Sequence, residues 1–382
     1  MSMPTTCENN MSTFLYIVDM LNHGPIDPKT ITHGPRIIFI DKWHLGTLHN
    51  HPSEENLMIP NPAYAPEAWQ TVTSHLAALG ESPFWHPHEQ LLYWVDISGK
   101  QILRANIDMG TVEAWDLPGE PGCMAPAASG GLVMALRHGV FRARTWGGPL
   151  QLLARLDYDA SHMRANDGKC DALGRFWVGT IDETRSLNNA GLYCIDARDL
   201  AQTGAAQVRC MINPAELPAT TANGLAWSPD NQTLYWADTP SHTVWAWDHD
   251  QNSNSLRARR VFASFKTQPE GWSSNGLDAG NGGYRGRPDG AAVDVQGNYW
   301  VALFEGRRVC QLAPDGSLLA EFAVPLQCPT MPCFGGEDLK TLYLTSARHH
   351  RSAAELAAFP LSGSVLSMRV EVAGLPVNFF QD

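Results

Sequence analysis

No long basic run occurs in this chain, whose 382 residues carry a formal net charge of −12. That balance argues against a nucleic-acid partner, because phosphate binding draws on clustered Lys and Arg that release counterions. The tightest basic group, Arg257 to Arg260 in RARR, reads as a solvated strand end. Long apolar runs are also missing, and nothing approaches the eighteen or so residues needed to span a bilayer. STFLYIVDML near the start is interrupted by Asp19 and lacks a basic lead and a small-residue cleavage site, so it makes a poor signal peptide. The expected location is the cytoplasm, with no membrane partner. The eight cysteines, at 7, 123, 170, 194, 210, 310, 328 and 333, include no C-x-x-C pair. Reduced thiols follow, and Cys170, Cys194 and Cys310 sit in or beside apolar runs where Cys packs as a small hydrophobe. No G-x-S-x-G elbow is present, which lowers a serine-hydrolase reading. Helical periods are scarce as well, with residues 70–80 and 351–358 the mild exceptions.

What the chain has instead is a β pattern written six times. The copies are HPHEQLLYWVD (86–96), AASGGLVMAL (127–136), DALGRFWVGT (171–180), SPDNQTLYWAD (228–238), DVQGNYWVAL (294–303) and GGEDLKTLYLTS (335–346). Each is a turn rich in Asp, Asn or Gly followed by a short run of Tyr, Trp, Leu and Val, and about 40 to 65 residues separate successive copies. Second runs such as SGKQILRANID, SHTVWAWDHD and GRRVCQLAPDG read as hairpin partners. Small antiparallel sheets repeated at blade-like intervals predict an all-β, six-bladed β-propeller over residues 71–382. The first 70 residues, rich in Pro, Asn, His and Thr, do not join the pattern and are expected to form a flexible N-terminal extension. Residues 270–286, EGWSSNGLDAGNGGYRG, are expected to form a long loop between the fourth and fifth copies.

In a propeller, polar groups converge in loops at the mouth of the central channel. Four segments place an acid or an amide beside a small residue just ahead of a strand: LGESPFW (79–85), RANDGKCD (164–171), ANGLAWSPD (222–230) and RPDGAAVD (287–294). Oxygen donors from separate loops suit a hard divalent cation such as Ca²⁺, Mg²⁺ or Mn²⁺, and a carboxylate-rich site also takes Zn²⁺. Glu81, Asn223 and Asp289 are the best trio. Alone, ANG or PDG is turn chemistry; Glu81 ahead of Phe84-Trp85 is harder to explain so, since burying an acid without a partner is costly. His86, His88, His349 and His350 stay unassigned.

Taken together, GESPFW, RANDGKCDALGRFWVGT, NGLAWSPDNQTLYWAD and RPDGAAVDVQGNYWVA resemble the regucalcin/gluconolactonase family of senescence-marker-like proteins, from about residue 75 to 375. That resemblance implies a six-bladed propeller that hydrolyses a small-molecule sugar lactone to the aldonic acid with one bound divalent metal ion, in carbohydrate catabolism. It also implies roles: Glu81, Asn223 and Asp289 as metal ligands, Asp289 as the catalytic base, and Arg164 and Asn166 facing the substrate, with Asn166 also placed to hold a metal-bound water. Asp167 and Gly168 then shape a turn, and Lys169 and Asp171 brace the strand start. Where regucalcin-like members carry an acidic pair after the strand ending in Gly-Thr, this chain has IDETRS, and Glu183 is assigned to the substrate. The alternatives are a metal-dependent esterase on another ester, including phosphotriesters, a non-catalytic calcium-binding protein, or a binding propeller of the kind that LYWVD and LYWAD suggest.

Overall fold

Every one of the six repeats becomes the second strand of its own sheet: Leu91–Asp96, Leu132–Leu136, Phe176–Asp182, Thr233–Asp238, Tyr299–Phe304 and Thr341–Ser346. The computed structural model describes residues 63–272 and 284–382. The aromatic residue of the repeat explains the strand, because Trp94, Trp177, Trp236 and Trp300 are fully buried between neighbouring sheets, where a large flat side chain fills the interface. The six sheets are antiparallel meanders of four strands, one of them with a fifth strand added at its outer edge, and together they form the expected six-bladed β-propeller.

Two stretches differ from the sequence expectation, residues 70–80 and the end of the N-terminal extension. Residues 351–358 do turn helical, over Ala353–Ala358, with Ser352 Oγ accepting from the Glu355 amide; residues 70–80 do not. There Gln70–Thr71 pairs with Leu366–Arg369, so the last blade is closed by chain from both ends of the domain. The extension expected over residues 1–70 lies outside the described residues up to 62, but its end does not hang free. Ala63–Tyr64 runs parallel to Leu318–Ala323 and extends that sheet, while Trp69 is buried and donates from Nε1 to Ala323 O at 2.9 Å. Of the loop expected over 270–286, residues 273–283 lie outside the described residues.

The larger correction concerns the four polar segments, which are not loops at all. Gly80–His86, Met163–Cys170, Ala222–Trp227 and Arg287–Val293 are the innermost strands of their blades, and with Pro121–Pro126 and Pro329–Gly335 they form a closed ring of neighbours around the axis. Polarity hid them, since their residues lack the alternation that marks a half-buried strand. Each of the six also slips register against the second strand: between Glu81 and Phe84, Pro121 and Cys123, Ala165 and Gly168, Asn223 and Ala226, Pro288 and Ala291, and Pro329 and Pro332. A bulge bends a strand and re-aims its side chains, so a ring of six bulges turns main-chain irregularity toward one small volume. Gly224 shows why small residues are needed there. It has φ of 62°, and a Cβ would collide with the Tyr299 hydroxyl, which donates to Gly224 O at 2.7 Å.

Asp171 braces the strand Phe176–Asp182 as the sequence suggests. Its carboxylate accepts Arg175 Nε at 2.6 Å, Trp177 Nε1 at 2.8 Å, and the amides of Leu173 and Arg175 at 3.0 Å. All of this is buried, so Asp171→Ala strands an arginine and an indole N–H in the interior. The expected loss is about 3–5 kcal/mol in equilibrium denaturation, and a loss below about 1 kcal/mol would contradict that assignment.

Candidate active site

At the N-terminal ends of the innermost strands lies a cavity of about 300 Å³, at the lower end of the size range of small-molecule sites. Glu81, Arg164, Asn166, Asn223 and Asp289 all line it, so five of the six residues singled out by sequence come together. They come from four different blades. At the opposite ends of the same strands a smaller, mostly apolar cavity of about 120 Å³ is covered by Leu375–Asn378.

The amides form a connected scaffold. Asn166 Nδ2 donates to Ala222 O at 2.9 Å and to Asn223 Oδ1 at 3.0 Å, and Asn223 Nδ2 donates to Thr239 Oγ1 at 2.8 Å. Thr239 in turn donates to Pro288 O at 2.8 Å, which ties the Asn223 strand to the residue before Asp289. Arg164 donates through Nη1 to Asn166 Oδ1 at 2.9 Å and through Nε to Glu183 Oε1 at 3.2 Å. Its Nη2 has no hydrogen-bond partner among the described residues and remains available to a ligand. Glu183 stands behind Arg164, also accepting Arg137 Nη1 at 2.8 Å, and is not among the cavity-lining residues.

The carboxylates are arranged differently. Glu81 is 7% exposed and accepts only the neighbouring Ser82 amide at 3.0 Å, and Asp289, also 7% exposed, accepts no hydrogen bond from a described residue. Burial pushes the Glu81 carboxyl well above the usual carboxylate range, and the charges of Asp289 and Asp167 push it further; burial and then Asp167 do the same to Asp289. Two buried acids that repel each other and find few donors need a cation. No three His, Cys, Asp or Glu side chains gather as metal ligands among the described residues. The candidate set instead has two carboxylates plus the amide oxygen Asn223 Oδ1, which keeps a lone pair after accepting from Asn166. All three donors are oxygens on the cavity wall, and this set fits a hard divalent cation.

Two residues expected at a turn have another place. Asp167 and Gly168 lie within the strand Met163–Cys170, and Asp167 Oδ2 reaches across to the Leu225 amide at 2.8 Å, while its buried Oδ1 has no partner. Lys169 does not brace its own strand but spans the axis, donating from Nζ to Ala291 O. Polar side chains in an innermost strand point at the other blades, a direction that local spacing does not reveal.

Sequence reasoning missed several lining residues, among them Arg185, His242, Arg287 and His349. His349 had been noticed without a role. Its ring is driven to a pKa of about 4 by burial, then by His350 and Arg164, so it faces the cavity neutral, with a buried Nδ1 that lacks a partner. Arg287, directly before the Pro-Asp-Gly motif, pairs with Glu305 at 3.1 Å.

Comparison with known proteins now decides the family. The SMP-30/Gluconolactonase/LRE-like region matches residues 79–348. The chain belongs to that family. It is 40% identical over 316 residues to the 6-deoxy-6-sulfogluconolactonase of Pseudomonas putida, covering 82% of this chain and 99% of that protein. It is 31% identical over 285 residues to the regucalcin of Xenopus laevis, covering 73% and 86% of the two. Among solved structures, the calcium-binding protein regucalcin from Agrobacterium tumefaciens superposes with a TM-score of 0.72 at 23% identity, over 84% of this chain and 98% of that one, which agrees with the propeller fold. No helix of the described residues is long and apolar enough to cross a membrane.

Proposed function

We propose that the protein hydrolyses a sugar lactone, an aldonolactone such as gluconolactone, to the aldonic acid, as a carboxylic-ester hydrolase of carbohydrate catabolism holding one divalent cation. The observation that carries this is the convergence of two buried carboxylates without adequate donors, Glu81 and Asp289, with Asn223 Oδ1 on one cavity wall. The relatives named as lactonases support the substrate class. Glu81, Asn223 and Asp289 would hold the cation, which supplies Lewis-acid chemistry to the ester carbonyl when bound.

The chain's own groups do the rest. Asp289 accepts the proton of the attacking water, a role open to a carboxylate on the cavity wall that accepts no hydrogen bond from a described residue. As the ring C–O bond breaks, the departing ring oxygen takes that proton back, and the product is the open hydroxy acid. Arg164 Nη2 is offered to the oxygen on which negative charge develops, in a site where a fixed donor acts at low dielectric. Asn166 fixes Arg164 and Asn223 relative to each other, and Glu183 serves the substrate through Arg164, holding its guanidinium from behind.

The test is acid release in weak buffer from a panel of aldonolactones, set beside open-chain carboxylic esters and a phosphotriester. Hydrolysis of a sugar lactone at a kcat/KM at least about tenfold above the other esters is expected. A preference for an open ester or the phosphotriester would replace this reading by a general metal-dependent esterase.

A further inference from the structure

The charge around the cavity is unlike that of the molecule. In a chain with a net charge of −12, three arginines line this one cavity: Arg164, Arg185 and Arg287. Two of them are balanced, Arg164 by Glu183 at 3.2 Å and Arg287 by Glu305 at 3.1 Å. Glu81 and Asp289 balance the divalent cation they would hold. Arg185 makes no ion pair and no side-chain hydrogen bond with any described residue, so its guanidinium is left for a ligand at the cavity mouth.

Arg185 is also placed deliberately by the backbone. It is exposed, with φ of 55°, in a left-handed conformation that costs energy in a residue with a side chain. The buried Asp182 carboxylate holds that turn, accepting the Thr184 amide at 3.0 Å, Thr184 Oγ1 at 2.6 Å and the Leu187 amide at 2.9 Å, while the Arg185 amide donates to Asp182 O at 3.0 Å. A loop hung on a fully buried acid thus presents an unpaired guanidinium to the cavity. The acids that would meet the reacting carbonyl are buried, whereas Arg185 stands at the solvent side, and this difference in depth orients a ligand end to end.

We propose that the lactone carries an anionic substituent remote from its carbonyl, a sulfonate, phosphate or carboxylate, and that Arg185 binds it at the cavity mouth. This rests on the lactone-hydrolase reading and adds the charge of the substrate. Arg185 suits the task, because a guanidinium presents paired N–H donors to an oxyanion. The reacting end and the charged end are then recognised by separate groups, so the anion selects the substrate without taking part in ring opening.

The experiment compares kcat/KM of the full-length protein for glucono-1,5-lactone with that for its 6-phospho and 6-deoxy-6-sulfo analogues and for a glucarolactone, with Arg185→Ala and Arg185→Glu beside the wild type. The wild type is expected to prefer a charged lactone by about tenfold or more, with the preference falling as salt is raised. In Arg185→Ala the charged-to-neutral ratio should fall at least about tenfold, chiefly through KM, and Arg185→Glu should bring it below one. Which analogue leads identifies the substituent. Equal use of neutral and charged lactones by the wild type, or a ratio unmoved in both variants, would overturn the proposal while leaving lactone hydrolysis intact. Hydrolysis of none of the lactones would remove the lactone reading itself, and this inference with it.

Discussion

Asp289→Asn is expected to lower kcat/KM for lactone hydrolysis by about a thousandfold or more while making the cation-free protein more stable. The first effect follows from its two proposed roles, since loss of a positioned base alone costs about 10²–10⁴ in rate and a weakened cation site adds to that. The second follows from its surroundings. Asp289 is buried beside Asp167 and Glu81 with no hydrogen-bond donor among the described residues, so a neutral isostere relieves repulsion and desolvation, on the order of 1 kcal/mol. Opposite signs in activity and melting temperature are the signature of a residue kept for function at the expense of stability. Activity retained within about tenfold, or a variant less stable than the stripped wild type, would contradict the assignment.

Removal of divalent cations is expected to lower lactone turnover by at least about a hundredfold and to give the folded protein an unusual pH dependence. Glu81 and Asp289 bind protons more tightly folded than unfolded, because burial and mutual charge raise both pKa values. Their contribution to folding is therefore full below the ordinary carboxylate range and is lost as pH rises through the raised folded values. The melting temperature of stripped protein should fall as pH climbs from about 4 toward neutrality. Added cation should reverse that trend, contributing about 3 kcal/mol at a hundredfold excess over its Kd. A stripped protein whose stability is flat over that window, or a melting temperature indifferent to cation, would rule out a cation between these acids. Asp382, held below the usual carboxylate range by Ser129 and then Arg142, and Glu183, held there by Arg137 and Arg164, work in the opposite sense at lower pH.

The blade count was legible because each second strand follows a turn and five of the six carry a buried aromatic residue, and those residues help to fill the spaces between sheets. Glu81, Asn223 and Asp289 were legible for a different reason: an acid or amide beside a small residue at the same point of separate repeats has no common explanation in local turns. What stayed hidden was the secondary structure of those segments. Glu81, Ala165, Asn223 and Pro288 each begin a bulge, and a bulged polar strand has neither alternation nor an apolar run to announce it. Asp167 and Lys169 were misplaced because their partners, Leu225 and Ala291, lie in other blades, far away in sequence. Arg185 could not be found at all by spacing. Its importance depends on what it lacks, a carboxylate partner, and only the folded arrangement shows that Glu183, two residues away, is already engaged by Arg137 and Arg164.

The measurement closest to the central claim is acid release from the preferred sugar lactone by cation-free protein titrated with Ca²⁺, Mg²⁺, Mn²⁺ or Zn²⁺. The account predicts that turnover rises from near zero and saturates at one equivalent of a tightly bound cation, and that Glu81→Gln abolishes both the binding and the turnover. Full lactone hydrolysis in the stripped protein, or saturation unaffected by Glu81→Gln, would contradict it.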